Sequence, residues 1–191
     1  MVAARPRYDD GNNLDGAMIE DAPSAETILI RPARVDDAES MVGYMTALTN
    51  EALDTISVRM PPTLEDEREF VLRTKLSERV LILLAFAGEE LVAILDLSAG
   101  PRPSDRHAGR FGMSVARAWR GKGVGRKLLS AAIEETKGWP GFCRIELECA
   151  PWNERAIALY EGLGFVLEGR RRKALNLRGR PEDMLLMALT W

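Results

Sequence analysis

The sequence contains few of the residues that build metal sites and disulfide frameworks. Its 191 residues include one histidine and two cysteines. His107 has neither a nucleophile elbow around it nor partners at metal-ligand spacing, so no catalytic triad and no metal site is predicted. Cys143 and Cys149 fall on one predicted strand, about 20 Å apart if it is extended, and a disulfide allows only about 7 Å between Cα atoms. We therefore predict two free thiols.

Long apolar runs and an excess of positive charge are lacking as well. The longest apolar run, Val80 to Ala87, is much shorter than the roughly 20 residues that cross a bilayer. Lys and Arg number 26 against 29 Asp and Glu, and this net charge of −3 is not typical of a dedicated nucleic-acid binder. Residues 1–26 have no apolar stretch and more acids than bases, unlike a secretory or transit peptide. These features predict a cytoplasmic protein with no membrane or nucleic-acid partner.

One globular domain accounts for the length and composition. Hydrophobic residues make up 46% and charged residues 29% of the chain, which are ordinary values for such a domain. A chain of 191 residues is too short for two sizeable cores. Residues 1–26 lack any hydrophobic periodicity, which predicts a mobile tail. Residues 27–191 are predicted to form the single domain.

Two helices are predicted after a short N-terminal strand. Residues 27–31 have the composition of a strand, and the proline that follows excludes a central place in a sheet. Asp36 and Glu39 have the spacing of a capping pair at the start of the first helix. Thr63 and Asp66 begin the second helix, whose many charges predict a solvated face. The apolar residues of the two helices are Met41, Tyr44, Met45, Leu48 and Ala52 in the first and Phe70, Leu72 and Leu76 in the second.

The rest of the chain alternates strands and helices. Two apolar runs joined by Gly88, Glu89 and Glu90 predict an antiparallel hairpin. The later segment 142–150 alternates apolar residues with charged ones, as a strand with one buried face does. The mixture predicts an α/β class with a partly antiparallel sheet. The predicted strands lie at 80–87, 91–97, 106–115, 142–150, 165–167 and 184–189, and further helices begin near 124 and 154.

A glycine-rich segment, Arg120 to Lys127, lies between a predicted strand and a predicted helix. Residues without side chains let the backbone approach a ligand closely, and the N–H groups at a helix N-terminus attract anions. Between Arg102 and Lys127 there are eight basic residues and one acid, Asp105. The segment therefore predicts a cradle for a multiply anionic ligand, with a flexible basic loop as the alternative.

Two common phosphate-binding motifs do not fit this segment. A Walker loop ends in Gly-Lys-Ser or Gly-Lys-Thr, and neither is present. The dinucleotide fingerprint requires a glycine at its sixth position, which counted from Gly121 is Arg126. Both ATP hydrolysis on a P-loop and Rossmann binding of NAD are therefore disfavoured.

With its surroundings, the segment resembles the acyl-CoA loop of the GNAT superfamily of N-acetyltransferases. That loop has Arg or Gln, two residues, Gly, one residue, and Gly or Ala, which Arg120, Gly123 and Gly125 match. The resemblance covers Thr27 to Trp191. Its other parts are Val115 at a strand end, then Asn153, Ala156 and Tyr160, and the ending Leu159 to Phe165. Within the superfamily, bacterial L-amino-acid N-acetyltransferases are the most similar, through residues 107–115, 144–147, Gly179, Arg180, Asp183 and Met187.

The resemblance implies a fold, a donor and a reaction. The fold would be a mixed, largely antiparallel central sheet of about six or seven strands flanked by about four helices. Acetyl-CoA would be the co-substrate, and the reaction would transfer its acetyl group to a primary amine of a small molecule such as an amino acid. Acetylation of a protein N-terminus and a non-catalytic acyl-CoA-binding sensor are the alternatives. A homodimer is possible by the same resemblance.

The resemblance also assigns residues to the cofactor. The backbone of Met113, Ser114 and Val115 would pair with the pantetheine arm as an added strand. Asn153 would cap its helix and bond the pantetheine region. The remaining cofactor-binding residues would be Arg120, Gly121, Lys122, Gly123, Val124, Gly125 and Arg126 at the pyrophosphate, with Ala156 and Tyr160 further along the chain.

Two residues are implied in proton transfer. Tyr160 would give its proton to the departing thiolate, since a phenol with a pKa of about 10 is protonated at neutral pH. Many family members carry an acid in the strand before the loop, where this chain has Arg110. Glu148, five residues before Asn153, is then the candidate base, slightly ahead of Glu146, and a water relay is the alternative.

Two other segments bear on the acceptor. Met60 to Pro62 follow the first helix, where the family usually shapes its acceptor pocket. The basic run Arg170 to Lys173 is predicted to follow the sixth strand as a solvated face, with contact to an acidic substrate or partner chain as the alternative.

Overall fold

Seven strands and four helices form the part of the chain that the computed structural model describes, residues 27–51, 62–177 and 179–191. The predicted tail, residues 1–26, and the Met60–Pro61 part of the predicted acceptor loop lie outside these ranges. The strands are β1 Ile28–Pro32, β2 Val80–Ala87, β3 Glu90–Ala99, β4 Ala108–Val115, β5 Arg144–Cys149, β6 Val166–Leu177 and β7 Arg180–Thr190. The helices are α1 Ala38–Asn50, α2 Leu64–Lys75, α3 Val124–Lys137 and α4 Glu154–Glu161.

All strands belong to one sheet with the order β1-β2-β3-β4-β5-β7-β6. Each neighbouring pair is antiparallel except β4 and β5, which are parallel. The predicted mixed and largely antiparallel fold is therefore confirmed. Pro32 lies on the edge strand β1, as its missing N–H group requires.

Helices pack on both faces of the sheet. On one face α3 buries Leu128 and Leu129 against a cluster that includes Ile145 of β5. On the other face α1 and α2 bury Met41 and Val71 against β2 and β3. The predicted alternation in β5 is confirmed, because Ile145, Leu147 and Cys149 face α3 while Arg144, Glu146 and Glu148 face away from it. No helix in the described ranges is long and apolar enough to cross a membrane.

The start of α1 differs from the predicted capping pair. Asp37 occupies the N-cap position, and its side chain caps no N–H group of α1. Instead its carboxylate accepts two hydrogen bonds of 2.7 Å from the Arg31 guanidinium and one of 2.7 Å from the Arg34 N–H group. The predicted Asp36–Glu39 cap is wrong because this bidentate ion pair fixes the turn before the helix.

Helix α2 begins as predicted, but the residues that it buries against the sheet are not the predicted ones. Thr63 and Asp66 form the expected capping box. The residues that α2 buries are Val71 and, four positions earlier, Glu67. The prediction that its charges form a solvated face is therefore wrong for Glu67. The apolar residues singled out in the sequence stay partly exposed, with Phe70 at 38%, Leu72 at 48% and Leu76 at 88% exposure.

The last two strands are much longer than predicted. The basic run 170–173 lies inside β6 rather than after it, which corrects the prediction. Lys173 adopts φ 53° at a bulge in β6. Asp183 of β7 stabilises this bulge by accepting hydrogen bonds from the Arg170 Nε and the Lys173 N–H group, at 2.7 and 2.8 Å. Strand β6 is an edge strand, where exposed charges replace the apolar pattern on which the prediction depended.

Candidate active site

The two parallel strands separate partway along their length. The β4–β5 ladder pairs only Ala108 with Arg144, Gly109 with Ile145 and Arg110 with Glu146. Beyond these pairs β4 continues to Val115 and β5 to Cys149. The backbone of residues 111–115 is bonded to β3 on one side and has no strand partner on the other among the described residues. The opening between the strands is therefore a slot lined by backbone groups that have no strand partner in the described ranges.

The glycine-rich loop stands at the end of this slot, between β4 and α3, and its position between a strand and a helix is as predicted. Gly121 and Gly123 have φ of 77° and 82°, a region that favours glycine. Gly123 is the N-cap of α3, so no side chain satisfies the first N–H groups of that helix. A Cβ atom on Gly121 would lie 2.8 Å from the Arg155 guanidinium. This geometry fits a phosphate group held by backbone N–H groups.

The basic side chains of the loop are engaged elsewhere. The Arg120 Nε donates to the Val115 carbonyl at 2.8 Å, and its Nη2 lies 2.7 Å from the Glu51 Oε2. Arg126 donates to the Gly162 carbonyl at 2.9 Å. The Lys122 Nζ lies 4.8 Å from the centre of the Trp119 ring. The contact of these side chains with a pyrophosphate therefore stays a prediction, and the backbone of the loop is its best-placed anion binder.

Tyr160 lies on α4, beside the slot. Asn153 caps this helix by accepting a hydrogen bond from the Ala156 N–H group at 3.3 Å. The Tyr160 ring packs against Phe111 of β4, with 5.9 Å between ring centres. Burial, and to a smaller extent the charge of Cys149, raises the pKa of Tyr160 to about 12. The phenol is therefore protonated at neutral pH, as a proton donor must be.

The two acids predicted as bases lie on the opposite face of the sheet from Tyr160. Glu148 accepts a hydrogen bond of 2.6 Å from Arg171. Glu146 lies 3.9 Å from Arg110 and 3.6 Å from Arg144. These arginines favour the charged form of each carboxylate, which disfavours uptake of a proton. Their role as base stays a prediction.

Three residues of the same face were not identified as site residues from the sequence. The Tyr44 hydroxyl of α1 donates to the Ser114 Oγ at 3.0 Å, which joins α1 to the slot. Asp96 of β3 lies over Gly112, and Glu67 of α2 is buried. The only signal for Glu67 was its spacing of four from Val71, which places both on one side of α2.

Comparison with known proteins decides the family. Residues 49–165 match the Acetyltransferase (GNAT) family. The chain belongs to this family. It is 29% identical over 163 residues to the L-amino acid N-acetyltransferase AaaT of Escherichia coli, covering 84% of this chain and 96% of that protein. The solved structure of a GNAT-family acetyltransferase from Streptococcus pneumoniae superposes with a TM-score of 0.82 at 27% identity, over 86% of this chain and 100% of the other.

A second relative matches about half of the chain. The alanine N-acetyltransferase that acts on ribosomal protein uS5 in Escherichia coli is 33% identical over 102 residues, which is 53% of this chain and 52% of that protein. Membership of the GNAT family confirms the predicted enzyme class. The protein is an N-acetyltransferase, and acetyl-CoA is its co-substrate.

The slot and the loop are suited to acetyl-CoA. The cofactor is long, with a pyrophosphate at one part and an amide-bearing arm at another, and the protein offers backbone N–H groups for the first and an unpaired strand edge for the second. No cluster of three His, Cys, Asp or Glu side chains that could hold a metal ion occurs within the described ranges.

Proposed function

We propose that the protein acetylates the amino group of a free amino acid or a closely related small amine. The observation that carries this proposal is the slot between β4 and β5, with an anion cradle at one end and the half-buried phenol of Tyr160 beside it. The similarity to an L-amino acid N-acetyltransferase over 96% of that protein supports the choice of acceptor.

Acetyl-CoA supplies an acetyl group activated as a thioester. The strand edge of Met113, Ser114 and Val115 would hold the pantetheine arm in the manner of an added strand. The N–H groups of residues 121–126 would hold the pyrophosphate. Asn153 and Ala156, at the start of α4, would border the arm on the opposite side of the slot.

The reaction must move protons as well as the acetyl group. The bond from the acetyl carbon to sulfur breaks, and a bond from that carbon to the amine nitrogen forms. An ammonium acceptor loses two protons, sulfur takes up one, and one is released to solvent. Tyr160 would give the proton to sulfur, since its raised pKa of about 12 keeps it protonated. The sequence favours Glu148, slightly ahead of Glu146, as the base, with a water relay as the alternative.

The charge pattern on the face of the sheet that carries Glu146 and Glu148, here called the acceptor face, supports an amino acid. Guanidinium and carboxylate groups alternate there, with Arg110 beside Glu146 and Arg171 beside Glu148. A free amino acid carries one charge of each sign and matches such a surface. A polyamine carries only positive charges, and a peptide N-terminus has no carboxylate next to its amine. The alternating charges of this surface would therefore match a polyamine or a peptide N-terminus less well than a free amino acid.

Acetylation of a protein N-terminus is the second candidate, because the ribosomal-protein relative is 33% identical in the shared region. The experiment is release of thiol from acetyl-CoA with a panel of amino acids, polyamines, aminoglycosides, phosphinothricin and short peptides. Turnover with free amino acids and not with peptides is the expected result. Peptides acetylated with a higher kcat/KM than any free amino acid would reverse the assignment.

We also propose a cytoplasmic location. Cys143 and Cys149 are both free thiols, as predicted from their spacing. Free cysteines are typical of reducing compartments. A homodimer stays a prediction of the resemblance.

A further inference from the structure

Arg110 stands where the two parallel strands begin to separate. It forms the last pair of the β4–β5 ladder with Glu146, and the slot opens from the next residue, Phe111. Phe111 is also a residue on which the Tyr160 ring packs. Arg110 therefore lies at the closed end of the slot, one residue from the level of the proposed proton donor.

The proposed direction of the cofactor brings its acetyl group to this closed end. The pyrophosphate would lie at the loop of residues 121–126, and the pantetheine arm would run along residues 113–115 towards Phe111. The thiol end of the cofactor is the end remote from its pyrophosphate. The acetyl carbon would therefore lie near the level of Phe111, where the acceptor amine has to meet it.

The side chain of Arg110 lies on the acceptor face, opposite to Tyr160. Its Nε is 3.9 Å from the Glu146 Oε1, and Glu146 points away from α3. Ser114, four residues further along β4, is on the same face and is bonded to Tyr44 of α1. A molecule held by Arg110 would therefore meet the acetyl group from the side away from Tyr160.

Arg110 is held less tightly than Arg171 of the same face. Its distance of 3.9 Å from Glu146 is too long for a hydrogen bond, and its side chain is 70% exposed. Within the part of the chain that the structure describes, its guanidinium has no hydrogen-bond partner. Arg171, in contrast, donates to Glu148 at 2.6 Å. The N–H donors of the Arg110 guanidinium are therefore available to a ligand at the closed end of the slot.

A free amino acid matches the charges at this position. A guanidinium presents parallel N–H groups that fit the two oxygens of a carboxylate, and such forked pairs are stronger than most ion pairs. Glu146, beside the guanidinium, offers a negative charge to the ammonium group of the same molecule. Arg144 lies 3.6 Å from Glu146, so Glu146 keeps a positive neighbour when Arg110 binds a carboxylate.

We propose that Arg110 selects the acceptor by binding the carboxylate of an amino acid at the closed end of the slot. The inference rests on the proposed function, because it assigns a role within the same acceptor site. In an α-amino acid the amine is attached to the carbon next to the carboxylate, so a carboxylate bound by Arg110 keeps the amine close to the acetyl group. An amine without a neighbouring carboxylate lacks this contact and binds more weakly.

The test measures kcat and KM for the best amino acid of the acceptor panel and for the amide of that amino acid, which has no carboxylate. Arg110→Gln should raise KM for the amino acid by about 10- to 100-fold with little change in kcat. Its KM for the amide should be that of the wild type. Arg110→Lys should recover only part of the loss, because an ammonium group makes no forked pair. The control is Arg68→Gln, at an exposed arginine of α2, which should behave as the wild type does.

Stability and cofactor binding separate this role from a structural one. An exposed ion pair contributes little to stability, so Arg110→Gln should keep the wild-type thermal midpoint and the wild-type affinity for acetyl-CoA, measured by calorimetry. An equal rise in KM for the amino acid and its amide, an unchanged KM for both, or a lower midpoint with weaker acetyl-CoA binding would overturn the role of Arg110. Any of these results in an enzyme that acetylates free amino acids leaves the proposed function standing. If the wild type acetylates peptides and no free amino acid, the proposed function fails and the role of Arg110 fails with it.

Discussion

Arg120 connects the end of α1 to the end of β4. Its Nη2 lies 2.7 Å from the Glu51 Oε2, while its Nε donates to the Val115 carbonyl at 2.8 Å. The two charged side chains are 25% and 17% exposed, so water screens the pair only in part. The arginine of the loop motif therefore holds the last carbonyl of the slot strand in place, and it ties the segment after α1 to the loop before α3.

Breaking this connection should weaken cofactor binding and stability together. Arg120→Ala and Glu51→Gln should each lower the free energy of unfolding by about 1–2 kcal/mol and weaken acetyl-CoA binding, with the larger effect in Arg120→Ala because it also frees the Val115 carbonyl. Urea unfolding and calorimetry measure the two effects. The double variant should lose less free energy of unfolding than the sum of the losses in the two single variants. A loss equal to that sum would contradict a direct interaction between the two side chains.

Tyr160→Phe removes the proposed donor and leaves the ring that packs on Phe111. Turnover is expected to fall by about 100-fold or more, with acetyl-CoA affinity and stability close to wild type. Because the pKa of Tyr160 is about 12, the wild-type enzyme should lose no activity through this group up to about pH 10. Steady-state kinetics and calorimetry provide the measurement. Unchanged turnover in Tyr160→Phe would remove the role assigned to its hydroxyl.

Periodic patterns and the loop motif predicted the architecture correctly. The alternation in β5, the hairpin of β2 and β3 and the glycine-rich turn before α3 depend on neighbours close in sequence, so the chain itself carries their signal. The order of these elements along the chain predicted a mixed, partly antiparallel sheet. The length of β6 was missed because an edge strand tolerates consecutive charges, which hide the alternation that marks a buried strand.

The ion pairs on the acceptor face could not be predicted from the sequence. Glu148 and Glu146 were correctly placed together on one face of β5, but their pairing with Arg171, Arg110 and Arg144 depends on strands far apart in the chain. Glu67 looked like one more charge on a charged helix. Its spacing of four from Val71 was the only local signal, and the packing of α2 on the sheet is what distinguishes Glu67 from its exposed neighbours.

The left-handed turn at Gly123 offers a test of the anion cradle. Gly123→Ala has room for its Cβ atom, since no other atom lies within 4 Å, but a φ of 82° disfavours any residue with a side chain. The substitution should lower the free energy of unfolding by about 1–2 kcal/mol. It should also shift the N–H groups at the start of α3. We expect weaker acetyl-CoA binding with little change in KM for the amine. Calorimetry and two-substrate kinetics test this.

Gly43→Ala is the matched control for that substitution. Gly43 lies in α1 and also has no other atom within 4 Å of an added Cβ. A helix interior favours alanine over glycine by about 0.5–1 kcal/mol, so this variant should be more stable and bind acetyl-CoA as wild type does. If both glycine variants bound the cofactor equally well, the backbone of the Gly123 turn would not be the anion site.

The ion pair between Arg31 and Asp37 should make stability depend on pH in the acid range. The Arg31 guanidinium, and also the Arg34 N–H group, lower the pKa of the Asp37 carboxyl in the folded protein. A lowered pKa adds stability above the unfolded pKa of about 4, and this stability is lost as the pH falls through the folded value. Asp37→Asn should therefore cost about 1–3 kcal/mol at pH 7 and progressively less below pH 4, as measured by urea unfolding. An equal loss at pH 7 and pH 3 would mean that Asp37 stabilises the turn before α1 through packing or neutral hydrogen bonds instead of its charge.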